Sequence, residues 1–389
     1  MYRIKTINKI SDVIYQKLTP DHFIVTDDGE HFDAAIVRSA DMHNMALPPE
    51  LAAIARAGAG YNNIPVESCS EKGIVVFNTP GANANAVREL VICGMLLAGR
   101  KVAESIAWLK DQKTAGTTDL AGLVEKGKKN FVGPELGGKT LGVVGLGAIG
   151  VMVANAASLG LNMEVLGYDP YISVDAAWHL TRSVVQSRTV DEIYTKSDFI
   201  SLHLPLNDST RHMIGAKELA AMKPGAVLLN FARGGLVDDD AVLAALTGGH
   251  LSHYVTDFPD DKLVGQEGVI AIPHLGASTP ESEENCAVMA ARIVRDFLLY
   301  GNIKNSVNLP DCMLQREGGV RVTVINRNIK NMIGQISAVL AEGGCNIDKL
   351  INKSRGDWAY TIFDLDKAPS EEGIEQLENI DGVVRVRVI

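Results

Sequence analysis

Apolar residues in this chain fall in short runs separated by polar or helical stretches, and the order of those runs predicts the architecture. In the first ninety residues the runs lie at 22–25, 34–37, 51–55 and 73–77. Such runs, bounded by turn residues and alternating with helical segments, predict a small parallel sheet with its own helices. Residues 87–107 carry small and aliphatic side chains on several faces, which predicts one continuous buried helix. The stretch 110–129 is polar and rich in Gly, Lys and Thr, as expected of a surface loop or short helix. From residue 140 onward, strands are predicted at 140–144, 164–168, 199–204, 226–231, 253–257 and 269–272, with helical segments between them. Regular β/α alternation of this kind means a doubly wound parallel sheet, whose ligand lies at the carboxyl ends of the strands. A long helix follows at 280–300.

After 309–311 the pattern changes. Strand-like alternation at 320–325, 358–365 and 382–389, with helical segments at 333–341 and 370–378, predicts a separate α+β domain. The fold class is therefore α/β with a small α+β tail.

Composition narrows the functional classes. With 389 residues, 46% apolar and 22% charged, the chain has room for two or three soluble globular domains. A net charge of -10 argues against nucleic acid or an anionic membrane as the main partner. An anionic substrate must then be drawn in by a local cluster of Arg and Lys. The five cysteines are scattered without C-x-x-C spacing, which predicts reduced thiols and no metal site. The N-terminus lacks an apolar signal core, and the apolar run around 90–98 is too short to span a bilayer, so a cytoplasmic location is expected.

The chemistry begins at 140–150, Thr-Leu-Gly-Val-Val-Gly-Leu-Gly-Ala-Ile-Gly, an apolar run broken by Gly145, Gly147 and Gly150 in the spacing G-x-G-x-x-G. The first glycine permits the turn, the second lets a pyrophosphate approach the backbone, and the third lets helix and strand pack closely. The free N–H groups and positive end of the following helix favour an anion. Asp169 ends the next apolar run 19 residues after Gly150, where an acid bonds the ribose hydroxyls and repels a 2′-phosphate. NAD is the expected cofactor. Four polar residues, His203, Arg233, Asp257 and His274, fall just past predicted strand ends. Arg233 can fork onto a carboxylate and polarise the neighbouring carbonyl. His274 can accept one proton near neutral pH. Alone, His274 reads more readily as structural; beside Arg233 and downstream of the glycine turn, it reads as the base that takes a hydroxyl proton.

These pieces resemble the D-isomer-specific 2-hydroxyacid dehydrogenase family. The resemblance is carried by Val37-Arg38-Ser39, Arg56-Ala-Gly-Ala-Gly, Asn78-Thr79-Pro, Gly133-Pro-Glu-Leu-Gly-Gly-Lys-Thr-Leu-Gly, the glycine turn, Ala232-Arg233-Gly-Gly and Pro273-His274-Leu-Gly-Ala-Ser, over roughly residues 35–310. It implies a Rossmann-type domain beside a flavodoxin-like substrate domain. It also implies NAD contacts at Ala148, Ile149, Asp169, Ala232, Asp257 and Gly276, and substrate contacts at Arg38, Arg56, Asn78 and Thr79. The family's catalytic Glu, which bonds the catalytic His, is missing: Asp260 or Asp261 stands near its place, Asp261 preferred by alignment on Phe258, unless both are loop acids in water. Ala148 replaces an Arg common in relatives.

Two guanidiniums, Arg38 and Arg56, exceed what a bare 2-hydroxy acid requires and suit an added phosphate, unless either is a surface Arg in an ion pair. The expected reaction is oxidation of 3-phospho-D-glycerate to 3-phosphohydroxypyruvate, the first step of serine synthesis. The alternatives are a dehydrogenase for glycerate, glyoxylate or lactate, or a NAD-sensing binding protein of the corepressor kind. The tail resembles an ACT domain, which implies serine as an effector at Asn326, Asn328 and Asn346, with Asn326 where a His is usual; the same residues also suit caps and turns. The expected domains are 1–92 with 281–311, 93–280, and 318–389, in a homodimer or homotetramer.

Overall fold

Side-chain alternation along one parallel sheet organises the N-terminal part of the computed structural model, which describes residues 1–389. Strands β1 (Tyr2–Ile7), β2 (Phe23–Thr26), β3 (Ala34–Val37) and β4 (Ala53–Arg56), helix α1 (Val66–Glu71) and strand β5 (Val75–Phe77) form a sheet of order β2-β1-β3-β4-β5, parallel throughout. Successive residues face opposite sides. Ala34, Ile36, Ala53, Ala55, Val75 and Phe77 enter one core, while Ala35, Val37, Ile54 and Val76 enter the other.

The chain divides between Asn83 and Ala84 and again between Ser278 and Thr279. The unit 84–278 opens with α2 (Ala84–Arg100), α3 (Val102–Thr114) and α4 (Leu120–Gly127). One continuous helix was expected over 87–107, but Lys101 is left-handed (φ 49°) and separates α2 from α3. The segment expected as loop or short helix contains the end of α3 and all of α4. Then come β6 (Thr140–Val144), α5 (Ala148–Gly160), β7 (Glu164–Tyr168), α6 (Val174–His179), β8 (Val184–Gln186), α7 (Val190–Lys196), β9 (Phe199–Leu202), α8 (Ala216–Ala221), β10 (Ala226–Asn230), α9 (Asp239–Thr247), β11 (Leu251–Thr256) and β12 (Val269–Ala271). The sheet order is β12-β11-β10-β9-β6-β7-β8, and every pairing is parallel. Strand order reverses between β6 and β9, which is where a crevice opens outside the strand ends in this topology.

The other unit joins 1–83 to 279–389. Helix α10 (Pro280–Tyr300) begins with Thr279 as N-cap and a Pro in its first turn, and ends at left-handed Gly301. Its Ala287, Ala290, Ala291, Val294 and Phe297 cover the β1–β5 sheet. The tail then runs β13 (Val320–Arg327), α11 (Met332–Glu342), β14 (Ile347–Arg355), β15 (Trp358–Leu365), α12 (Glu371–Glu378) and β16 (Val383–Val388). Its antiparallel order β14-β15-β13-β16 gives the βαββαβ arrangement. Val322, Val324, Phe363 and Leu365 pack under α11 and α12, whereas Ile325, Tyr360 and Ile362 on the opposite face join the core around α10. The tail has a core of its own under α11 and α12, and the other face of its sheet shares the core around α10. For this reason it belongs to the same unit as 1–83.

Candidate active site

In the unit 84–278, the glycine turn forms as its residue types require. Gly145 adopts φ +94° and donates its N–H to the Tyr168 carbonyl at 2.8 Å. A Cβ on Gly145 would lie 2.5 Å from the His203 carbonyl oxygen, and one on Gly150 would run into the Gly145 carbonyl oxygen. Gly147 differs: its backbone is extended, it caps α5, and a Cβ there would meet nothing within 4 Å. The protein itself has no need of a glycine at 147, whereas a pyrophosphate lying on the backbone does. Gly147, Ala148 and half-buried Ile149 present the start of α5 to solvent. Asp169, just beyond β7, accepts Leu146 N–H through Oδ2 and Tyr171 N–H through Oδ1, both at 2.8 Å. Its carboxylate thus fixes the glycine turn, and each oxygen retains a lone pair for a ribose hydroxyl. These residues fit a dinucleotide.

Farther along the same carboxyl edge, Ala232 and Arg233 follow β10, Asp257 follows β11, and His274 and Gly276 follow β12. Asn230 ties the Arg233 turn together, donating from Nδ2 to the Arg233 carbonyl at 2.9 Å and accepting Ala232 N–H at 3.2 Å. The Arg233 guanidinium is half-buried and donates to the Ala232 carbonyl at 2.7 Å. Asp257 is buried; its Oδ2 accepts Gly276 N–H at 3.3 Å, and its Oδ1 has no hydrogen-bond partner. Burial pushes the Asp257 carboxyl above its ordinary range, and the charges of His274 and Arg233, with the Gly276 N–H, pull it back. Gly276 is in direct contact with Asp257, while His274 and Arg233 act on it through space. His274 is exposed, its ring 4.4 Å from that of Phe258.

The residues expected to replace the missing Glu are not bonded to His274. Asp260 turns back on its own loop and accepts Lys262 N–H at 3.0 Å and Leu263 N–H at 3.1 Å. Asp261 is exposed and has no hydrogen bond or ion pair. His203, past the end of β9, is held by Ser201 Oγ at 2.9 Å from Nε2, and its Nδ1 is buried without a partner. Burial pushes this imidazole down to about 4.

In the other unit, Arg38, Arg56, Asn78 and Thr79 share the carboxyl edge of the β1–β5 sheet, after or at the ends of β3, β4 and β5. Asn78 donates to the Ala59 carbonyl at 2.7 Å, and Thr79 N–H to the Gly58 carbonyl at 3.0 Å, so the turn 78–79 is tied to the strand end carrying Arg56. Arg38 is in an ion pair, with Glu283 on the first turn of α10 at 2.5 Å. The buried Cys286 thiol, one turn along, is raised by burial and lowered by the nearby hydroxyls of Thr79 and Ser282 and the charges of Arg56 and Arg38. Ser282, Glu283 and Cys286 were not among the expected site residues. A helix N-terminus distant in sequence gives no local signal that it closes onto a sheet edge.

In the tail, Asn326 is buried, donates to the Arg327 carbonyl at 2.7 Å, and has an unpartnered Oδ1. Asn328 donates to the Gly356 carbonyl at 3.0 Å, and Asn346 donates to Asp348 at 2.9 Å. Asn326 pairs with Ala359 at one end of β15, while Ile347, next to Asn346, pairs with Leu365 at the other. One chain does not bring the three asparagines together.

Residues 92–276 match the family model described as D-isomer specific 2-hydroxyacid dehydrogenase, NAD binding domain. The chain is 35% identical over 331 residues to a D-3-phosphoglycerate dehydrogenase of Methanocaldococcus jannaschii, covering 84% of this chain and 59% of that protein. It is 38% identical over 268 residues to a hydroxypyruvate reductase of Thermotoga maritima, covering 66% of this chain and 81% of that protein. The structure of a NAD+-bound 3-phosphoglycerate dehydrogenase from Entamoeba histolytica aligns with a TM-score of 0.60 at 28% identity, over 79% of this chain and 98% of that one. The chain spans less than two thirds of the length of several curated relatives it matches, 56–59% for those from Methanocaldococcus, Synechocystis and Mycobacterium tuberculosis.

Proposed function

Because the chain belongs to the D-isomer-specific 2-hydroxyacid dehydrogenase family, we propose that it oxidises 3-phospho-D-glycerate to 3-phosphohydroxypyruvate with NAD, the first step of L-serine synthesis. The observation that carries the reading is the grouping of Arg233, Asp257 and His274 on the carboxyl edge that also bears the glycine turn. When bound, NAD accepts the hydride from the carbinol carbon. His274 takes the hydroxyl proton, so that the carbinol becomes a carbonyl without building up an alkoxide. The Arg233 guanidinium forks onto the substrate carboxylate and polarises the forming carbonyl. Asp257 meets the cofactor with the carboxylate oxygen that has no protein partner, and Gly147, Ala148, Ile149, Asp169, Ala232 and Gly276 complete the dinucleotide contacts.

Arg38 and Arg56, with the Asn78–Thr79 turn, bind the anionic remainder of the substrate. For the family's missing Glu, Asp261 is the freer of the two candidate acids, because Asp260 is held by its own turn. The buried Asp257 carboxyl also interacts electrostatically with His274. We read the ACT-like tail as an effector module for serine, with Asn326, Asn328 and Asn346 as its contacts, in a homodimer or homotetramer and in the cytoplasm. No helix is long and apolar enough to cross a membrane.

The test is turnover of the purified protein with NAD against a panel of 3-phosphoglycerate, D-glycerate, D-lactate and glyoxylate with NADH, followed by NADH absorbance. Preference for the phosphorylated acid is expected. Equal kcat/KM for glycerate would remove the assigned substrate and favour a reductase of the hydroxypyruvate kind.

A further inference from the structure

We propose that Glu283 sets the charge this enzyme accepts at its anion-binding edge, competing with the substrate's phosphate for Arg38. This rests on the functional reading above. Arg38 donates to Glu283 Oε1 at 2.5 Å, and the two side chains are 41% and 43% exposed. The pair is therefore open to solvent and to a ligand, and it is weak enough to be exchanged. It stands within a larger cluster: the charges of Arg38 and Arg56 and the hydroxyls of Thr79 and Ser282 all act on the buried Cys286. These groups come from the ends of β3 and β4, the turn after β5, and the first turns of α10.

An anion arriving there meets two guanidiniums, Arg38 and the half-buried Arg56, and one carboxylate, the Thr79 and Ser282 hydroxyls being buried. The carboxylate changes the sum in two ways. It engages one of the two cations, and it repels a phosphate dianion more strongly than it repels a neutral hydroxymethyl group. A substrate's phosphate must displace Glu283 from Arg38, whereas an unphosphorylated acid need not. Glu283 thus lowers the advantage of phosphoglycerate over glycerate and is a specificity residue for the reaction. It is not a catalytic residue, because in this assignment it takes no part in the proton or hydride transfer.

Glu283→Gln keeps the shape and removes the charge. The expected result is a KM for 3-phosphoglycerate lower by about two- to fivefold, the range an exposed ion pair supports. The kcat, the KM for NAD and the KM for D-glycerate are expected to stay as in the parent, and Glu283→Asp to keep the parental KM. If Glu283 instead holds Arg38 in its binding pose, the KM for phosphoglycerate rises, which overturns the proposal, as does an equal change for both acids. Calorimetric titration of inorganic phosphate into the parent and Glu283→Gln proteins separates this inference from the assigned reaction. Should the parent turn over no 2-hydroxy acid, the functional reading fails, yet tighter phosphate binding by the variant still supports Glu283 as the competing carboxylate. Equal or weaker binding overturns it.

Discussion

A side chain on Gly150 has no room beside the Gly145 carbonyl oxygen, whereas one on Gly147, two residues past Gly145, points into open space. The two glycines of one motif are thus required for different reasons. Gly150→Ala forces helix α5 away from β6, an overpacking cost of about 1–3 kcal/mol. Gly147→Ala leaves the free protein with its parental stability and obstructs only a ligand lying on the backbone. Thermal unfolding without NAD, paired with NAD titration, separates them. Gly150→Ala lowers Tm, and Gly147→Ala weakens NAD binding at constant Tm. A Gly147→Ala protein that binds NAD normally would remove the pyrophosphate from this turn.

The tail carries a second strong coupling. Arg321 on β13 is fully buried and lies opposite Asp364 on β15, donating from Nε at 2.6 Å and Nη2 at 2.9 Å to its two oxygens. Its Nη1 donates to the carbonyls of Tyr300 and Leu314, at the end of α10 and in the segment after it. Arg321→Met leaves a buried carboxylate and two carbonyls without donors. Breaking such a pair from one side costs about 3–5 kcal/mol. Adding Asp364→Leu removes the stranded charge and recovers part of the loss, while the two carbonyls continue to cost about 1 kcal/mol each. Urea unfolding of the single and double variants measures both. A single variant as stable as the parent would mean that water reaches Asp364.

Much of this was legible in the chain because strand ends and glycine turns are local features. The turn at 145–150, the acid at 169, and Arg233, Asp257 and His274 just past their strands each follow from residue type and spacing within a few positions. Helix α10 has its N-cap, proline and terminal glycine written in sequence, and its range matches the expectation. What failed was non-local or conformational. Lys101 in the left-handed region splits a helix whose apolar pattern runs on, and no propensity marks a Lys for that role. The short strand β8, with two of its three residues exposed, carries too little pattern to read. The Arg38–Glu283 pair spans 245 positions, and only folding brings α10 to that edge. Asp260, one of the two acids offered for the family's Glu, is held by its own loop, which spacing alone does not reveal.

Removing the proposed base gives a direct kinetic prediction. His274→Ala lowers kcat by about 10²–10⁴, the usual contribution of a positioned general base, with NAD affinity retained. Arg233→Lys keeps a charge but loses the fork, and kcat/KM falls by about 10–100-fold, the worth of one charged hydrogen bond. Steady-state rates with NAD and 3-phosphoglycerate, alongside NAD titration, test both. If the two variants bind NAD and turn over normally, the residues have been assigned wrongly.

His203 makes the last prediction, one about stability and pH. Its Nδ1 is buried and its Nε2 is held by Ser201, and burial lowers the folded pKa to about 4. In the unfolded chain the same group titrates near about 6.5. Between those values the unfolded state binds a proton that the folded state refuses, so stability is full above the unfolded value and is lost as pH falls toward the folded one. The loss reaches about 2 kcal/mol near pH 5 and at most about 3 kcal/mol below the folded value. Because other groups also titrate in this window, the measurement is a difference: urea unfolding of the parent and of His203→Asn at neutral pH and near pH 5. The parent is expected to lose more stability on acidification than the variant, by that amount. Parallel losses would mean that His203 becomes protonated within the folded protein, its ring open to water on the Nδ1 side.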